Sequence, residues 1–131
     1  MLLNFVAVAI DNARLMDEQL RRQKIEHEMA IARQVQETIL PQKVDVIPGV
    51  EVGVIYYPAR EVGGDFYDLR RLSDTEFLVV LGDVSNKGVP AALVMSAAAG
   101  IVKARLDVNP NIAVNDLAQC LNYILVSDII R

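Results

Sequence analysis

Two strand-like runs around three polar residues constrain this fold more than any other feature. Asp65-Phe66-Tyr67-Asp68-Leu69-Arg70-Arg71-Leu72 and Glu76-Phe77-Leu78-Val79-Val80-Leu81-Gly82-Asp83 flank Ser73-Asp74-Thr75, a loop of hairpin length. Pairing Leu72 with Glu76 sets Asp65 opposite Asp83. Alternation then puts Asp65, Tyr67 and Leu69 on one face with Phe77, Val79, Leu81 and Asp83. That face is apolar except at the end where the carboxylates meet. Directly opposed side chains lie ~5 Å apart, and two carboxylates at that distance repel by about 3 kcal/mol at an effective dielectric of ~20. Either one of them takes up a proton or a hard cation sits between them. A two- or four-residue loop would shift the register by one and leave the carboxylates diagonal but close.

The chain has 131 residues, a formal net charge of −4 and 53% hydrophobic residues, enough for one globular domain. With a single cysteine, Cys120, no internal disulfide can form, and a reducing, cytoplasmic setting is the natural expectation. Cys120 falls in an apolar helical pattern and reads as a packed thiol. No stretch reads as long enough to span a bilayer. The apolar start, Met1 to Ile10, is short and has no positive n-region, so no signal peptide is expected. An acidic balance without a basic, aromatic-interleaved patch argues against nucleic acid as a partner.

Residues 1 to about 40 contain no Gly or Pro and predict one long helix. Leu2, Val6, Ala9, Ala13, Met16 and Leu20 have a heptad-like spacing, which suits a coiled-coil partner and a homodimer through this helix. Ile25, Met29, Ala32, Val35 and Ile39 form a second stripe. The step of five from Leu20 to Ile25 moves the stripe to another face through Arg21-Arg22-Gln23-Lys24, although one broad stripe is the simpler alternative. The second stripe is expected to pack on the adjoining domain, against the helix after Pro90. Pro41 ends the first helix. Pro48-Gly49 predicts a turn, and Val50 to Tyr57 a first strand ahead of the hairpin. Pro90 opens a helix rich in small residues, Asn109-Pro110 breaks it, and a last helix runs from about Ile112 to Val126. The order is α, β-β-β, α-α, an α+β class, in two parts: residues 1–40 as a linker helix and residues 41–131 as a domain. The end, Asp128-Ile129-Ile130-Arg131, reads as unfinished.

Gly63-Gly64-Asp65 and Gly82-Asp83-Val84-Ser85-Asn86-Lys87-Gly88 hold the chemistry. Glycines beside an acidic residue suggest close backbone approach to a ligand or positive φ. Asp83 lies where a strand enters a loop, so carbonyls just after it can turn toward the same ion. Two carboxylates and a backbone oxygen suit Mg²⁺ or Mn²⁺. No His or Cys accompanies them, which disfavours zinc.

Ala59-Arg60-Glu61-Val62-Gly63-Gly64-Asp65-Phe66-Tyr67-Asp68, then Gly82-Asp83-Val84-Ser85-Asn86-Lys87-Gly88-Val89-Pro90-Ala91-Ala92-Leu93, resembles the stage II sporulation protein E-type phosphatases. These are metal-dependent, protein phosphatase 2C-like (PPM) serine/threonine phosphatases. Ala32-Arg33-Gln34-Val35-Gln36-Glu37-Thr38-Ile39-Leu40-Pro41 resembles the helix entering that domain. The likeness runs from about residue 29 to the C-terminus, and residues 1–28 resemble the last helix of a GAF-type sensor plus a signalling linker. The resemblance implies a β-sandwich flanked by helices and a dinuclear Mn²⁺/Mg²⁺ site. Asp65 would be a metal-binding aspartate, Asp83 the bridging one and Val84 the donor of a backbone carbonyl. It further implies attack by a metal-bridged water without a covalent enzyme intermediate. The implied substrates are phosphoserine or phosphothreonine on small anti-anti-sigma-type proteins. The family's domain is longer and takes further metal-binding aspartates from C-terminal strands, so this chain alone is expected to have little or no activity.

Arg60 could steer a phosphate, though a surface arginine is the simpler reading; Lys87 is equally ambiguous. Asp68 faces away from the acidic pair and reads as solvated or ion-paired. His27, the single histidine, sits among charged helix residues and reads as solvated. Asp83 to Gly88 loosely resembles the start of a calcium loop, but Val94 stands where the acidic twelfth residue belongs. Gly63-Gly64-Asp65-Phe66 also resembles the hairpin motif of diguanylate cyclases, but there the glycines occupy the turn and here they precede a strand. A non-catalytic, dimerising relay module is the alternative of a different class.

Overall fold

A computed structural model describes residues 2–44 and 46–129. Ile130 and Arg131, part of the end that reads as unfinished, and the side chain of Leu2 lie outside the described residues. The chain divides into two compact units, Met1–Ala32 and Arg33–Arg131.

Helix α1 spans Leu2–Ile39. It is continuous through Arg21-Arg22-Gln23-Lys24, so the five-residue step turns the apolar stripe without interrupting the helix. In the first unit Val6, Met16 and Leu20 are exposed, as are Phe5, Val8, Ile10 and Leu15. Exposed i,i+4 pairs, Arg14–Glu18 at 3.6 Å and Arg21–Asp17 at 3.3 Å, add a few tenths of a kcal/mol each to helix stability. His27 is exposed, as expected.

In the second unit, strands β1 (Asp65–Arg71) and β2 (Phe77–Asp83) form a two-stranded antiparallel sheet. The loop closes with Leu72 and Ser73 N–H donating to the Glu76 carbonyl at 2.9 and 3.1 Å. The register is the one the loop length predicts, with Asp65 opposite Asp83, Tyr67 opposite Leu81 and Leu69 opposite Val79. The expected first strand is not formed. Residues 51–58 lack any ladder, and only a bridge between Ile47 and Val50 precedes them. A β-rich sequence becomes a strand only when another edge takes up its N–H and C=O groups, and neither edge of this hairpin does so for Val50–Tyr57.

Helix α2 (Val89–Val108) starts with Pro90 in its first turn, as predicted. Helix α3 (Val114–Ile124) continues into a π-helical turn, Leu125–Ile129. Met95, Val102 and Leu106 of α2 are fully buried and, with Ala98 and Ala99, meet Phe66, Leu40 and Leu117 in one core. Burying each of the three large side chains is worth roughly 1.5–3 kcal/mol. At 20 residues α2 is long and apolar enough to cross a membrane by length and composition, which corrects the expectation that no stretch is. Five of its seven buried residues belong to this core, which makes it the spine.

The face of the hairpin that packs on the core carries Phe66, Asp68, Leu78 and Val80. Gly82 makes this possible: a Cβ there would lie 2.0 Å from the Phe66 ring. Asp68 is therefore not solvated. It is 6% exposed and takes the ion-paired alternative, accepting from Leu69 N–H at 2.8 Å and Arg70 Nε at 3.3 Å. Arg70 also reaches Asp107 of α2.

Candidate metal and phosphate site

The end of the hairpin is built by backbone pairing first. Val84 N–H donates to the Gly64 carbonyl at 3.2 Å, which makes Gly64 and Val84 a hydrogen-bonded pair. Asp65 and Asp83 are the next pair in register, hence a non-hydrogen-bonded one, where side chains approach most closely. The Asp65 carboxyl is held above the usual carboxylate range by partial burial, by a hydrogen bond with the Asp83 side chain and by the Asp83 charge. Asp65 keeps solvent contact, so the neighbouring carboxylate is the cause peculiar to this site. A raised Asp65 pKa is the direction that an opposed carboxylate imposes.

Three glycines shape this end, and none of them has positive φ; among the described residues only Gly49, Gly88 and Asn86 do. A Cβ on Gly64 would lie 2.8 Å from the Val84 carbonyl oxygen. A Cβ on Gly63 would lie 2.3 Å from the Tyr56 hydroxyl, and one on Gly82 would strike Phe66. Their common role is to admit close neighbours from this chain. This corrects the left-handed-backbone alternative at these three positions; Gly63 and Gly64 also line the cavity.

A cavity of about 110 Å³ opens beside the acidic pair, lined by Arg60, Asp65, Asp83, Val84, Lys87 and Gly88 among others. Gly88, with φ +83°, is the N-cap of α2, and a Cβ on it would lie 3.6 Å from an Arg60 guanidinium nitrogen. No side chain caps α2, so its first N–H groups contribute a partial positive charge here. The cavity is lined by groups of both signs: the hairpin carboxylates, and Arg60, Lys87 and the start of α2. On the other side of the pair lies an open trough of about 470 Å³ lined by Tyr56, Tyr57, Tyr67 and Leu81.

Among the described residues no three His, Cys, Asp or Glu side chains gather. The side-chain donor set is thus two carboxylates, with Val84 beside them in the cavity lining. Paired oxygen donors fit a hard divalent cation, and relief of the repulsion that raises the Asp65 pKa would favour its binding. They supply about half of the six ligands such an ion takes.

Residues that sequence reasoning missed lie behind Asp65. Gln36, near the end of α1, is buried and hydrogen-bonds both backbone groups of Gly63. Its signal was available: Ala32, Gln36 and Leu40 recur at four-residue steps, so Gln36 lies on the inward stripe of the last turns. The expected packing residue Val35 is exposed. Tyr56 has a buried hydroxyl with no hydrogen-bond partner among the described residues; burial foremost, then the Asp65 charge, raises its pKa.

No family model matches the chain. Over 76 residues, 57% of its length, the chain is 40% identical to phosphoserine phosphatase RsbU of Bacillus subtilis (strain 168). Over 68 residues, 52% of its length, it is 40% identical to Protein IcfG of Synechocystis sp. (strain ATCC 27184 / PCC 6803 / Kazusa). The matches span 22% of RsbU and 11% of IcfG. More than half of this chain is therefore similar in sequence to a segment of a phosphoserine phosphatase.

Proposed function

We propose that this chain carries the first part of the catalytic site of a metal-dependent phosphoserine/phosphothreonine phosphatase of the stage II sporulation protein E (PPM) type. The pairing of Asp65 with Asp83 across β1 and β2 carries the reading, and the 40% identity to the Bacillus phosphatase supports it. Asp65, Asp83 and the Val84 carbonyl would hold Mn²⁺ or Mg²⁺, two ions when the donor set is complete. Such an ion, when bound, activates water and neutralises phosphate charge. Arg60, which lines the same cavity, would bind and orient the phosphate. With two carboxylates and one carbonyl, these 131 residues by themselves are expected to turn over little or no substrate.

The proposed setting is a cytoplasmic partner-switching pathway, with a phosphorylated anti-anti-sigma-type protein as substrate and no nucleic acid as partner. Residues 1–28 would be the exit helix of a GAF-type sensor, joined through a linker to the PPM-type domain. The exposed heptad stripe of α1, including Val6, Met16 and Leu20, supports a homodimer through this helix. It also supports the second reading, a non-catalytic relay module, and sedimentation of the chain across a hundredfold concentration range separates monomer from dimer.

The test of the site is titration of Mn²⁺ by its electron paramagnetic resonance, with hydrolysis of an aryl phosphate in parallel. Saturable Mn²⁺ binding lost in Asp83→Asn is expected. Absence of binding in the unmodified chain overturns the metal reading. Clear Asp83-dependent turnover overturns the expected weakness of these residues alone.

A further inference from the structure

We propose that Tyr56 is a positioning residue for Asp65, its phenol hydroxyl donating to the Asp65 carboxylate when that carboxylate exchanges Asp83 for a divalent ion. The functional consequence rests on the reading of Asp65 and Asp83 as metal ligands; the hydroxyl's choice of acceptor is testable without an ion.

Among the described residues, the Tyr56 hydroxyl is the one buried side-chain polar atom with no hydrogen-bond partner. The side chain as a whole is half-buried and packs against the core. A phenyl ring would serve that packing equally well, and an unsatisfied buried hydroxyl lowers stability. The oxygen therefore needs a reason other than packing. Its place is specific: a Cβ on Gly63 would lie 2.3 Å from it, so the bare Gly63 backbone is what admits it. Gly63 stands two residues before Asp65. Tyr56, Asp65 and Asp83 line the same trough.

The charges around the phenol narrow the acceptor. Burial and then the Asp65 charge raise its pKa, so the hydroxyl keeps its proton at neutral pH and remains a donor. Arg33, Glu37 and Tyr67 are the other groups that act on it. Arg33 and Glu37 hold each other at 2.9 Å with half of each side chain in solvent. The Tyr67 hydroxyl already donates to the Pro41 carbonyl at 3.2 Å. Asp65 differs, because its partner is one that a metal ion replaces. Its hydrogen bond with the Asp83 side chain needs a proton on one of the two carboxyls, whereas ligation of a cation needs both deprotonated. An Asp65 that has given up that bond has an oxygen free to accept from Tyr56. Outer hydrogen bonds of this kind fix ligating carboxylates, and losing one typically costs roughly 10–100-fold in metal affinity.

The decisive comparison is the full chain against Tyr56→Phe, which removes only the hydroxyl. Mn²⁺ titration and urea unfolding in chelator are the first two readouts. Mn²⁺ should bind about fivefold or more weakly, while the urea midpoint in chelator stays equal or rises. These opposite signs are the signature. Unchanged Mn²⁺ affinity, or affinity and stability lost together, would make the hydroxyl merely structural and overturn the proposal. The third readout is the Tyr56 ¹³Cζ resonance, which moves downfield when the phenol donates to a carboxylate. It should move on adding Mg²⁺ to the unmodified chain, and also in ion-free Asp83→Ala, where Asp65 has lost its carboxyl partner. If the unmodified chain binds neither Mn²⁺ nor Mg²⁺, the metal reading fails while Asp83→Ala still decides the acceptor: an unmoved resonance there refutes the pairing of Tyr56 with Asp65. If Tyr56→Phe does not fold, the same resonance decides, movement supporting the proposal and its absence overturning it.

Discussion

The two faces of the hairpin differ little in apolar content, yet they are covered unequally, Tyr67 being the residue of the more open face that packs against the core. Phe66, Leu78 and Val80 pack toward α2, whereas Leu81, directly across from Tyr67, is 80% exposed. Alternation tells which residues share a face and nothing about which face is covered. One absent side chain fits the covered face to the core. Gly82 lets the Phe66 ring lie across the sheet on the core side, and Asp68 turns inward with it because Arg70 and the Leu69 amide satisfy its carboxylate. The acidic pair consequently remains on the open face, where an ion and a phosphate can reach it.

Substitutions on either face can break this contrast. The largest effect is expected from Met95→Ala under the covered face. Met95 is fully buried, so a cavity should cost about 2–5 kcal/mol, read as a lower urea midpoint at unchanged slope. Gly82→Ala comes next. Its Cβ must displace the Phe66 ring from 2.0 Å, at about 1–3 kcal/mol, and a crystal structure should show the ring turned. A neutral result would mean that the fit of this face to the core does not depend on Gly82.

Asp65→Asn tests the open face. Because the Asp65 pKa is raised in the fold, its ionisation opposes folding. The penalty is absent below the unfolded pKa, grows as pH rises through the window between the unfolded and folded values, and is complete above the folded one. Asp65→Asn should therefore be more stable than the parent at neutral pH in chelator and show a flatter urea-midpoint profile from acid to neutral pH. A saturating divalent ion should reverse that ranking. The smallest effect is expected from Leu81→Ser, within about 0.5 kcal/mol by thermal melting. A loss of about 2 kcal/mol or more would show that this face is covered in solution.

Much of the local structure is legible in the sequence. The hairpin, its loop, its register, the Pro-led α2 and the length of α1 come from short-range rules about spacing and backbone freedom. The opposition of Asp65 and Asp83 comes from them as well, because register is fixed once a loop length is chosen. Val50–Tyr57 misleads because its β-propensity describes a surface that could pair, while pairing needs an available edge. For Asp68, periodicity gives the face but not the burial. Gln36 escapes notice because a polar residue on a long charged helix reads as solvated until its partner, the Gly63 backbone, is known.

Sequence by itself determined what is local: where backbone conformations begin and end, and which residues stand opposite one another across a three-residue loop. Tertiary packing alone decided which sheet face was closed, which extended segment stayed unpaired and which helix residue gripped Gly63. Those outcomes depend on volumes and hydrogen-bond partners supplied by segments far away in the chain, and no window of neighbouring residues contains them.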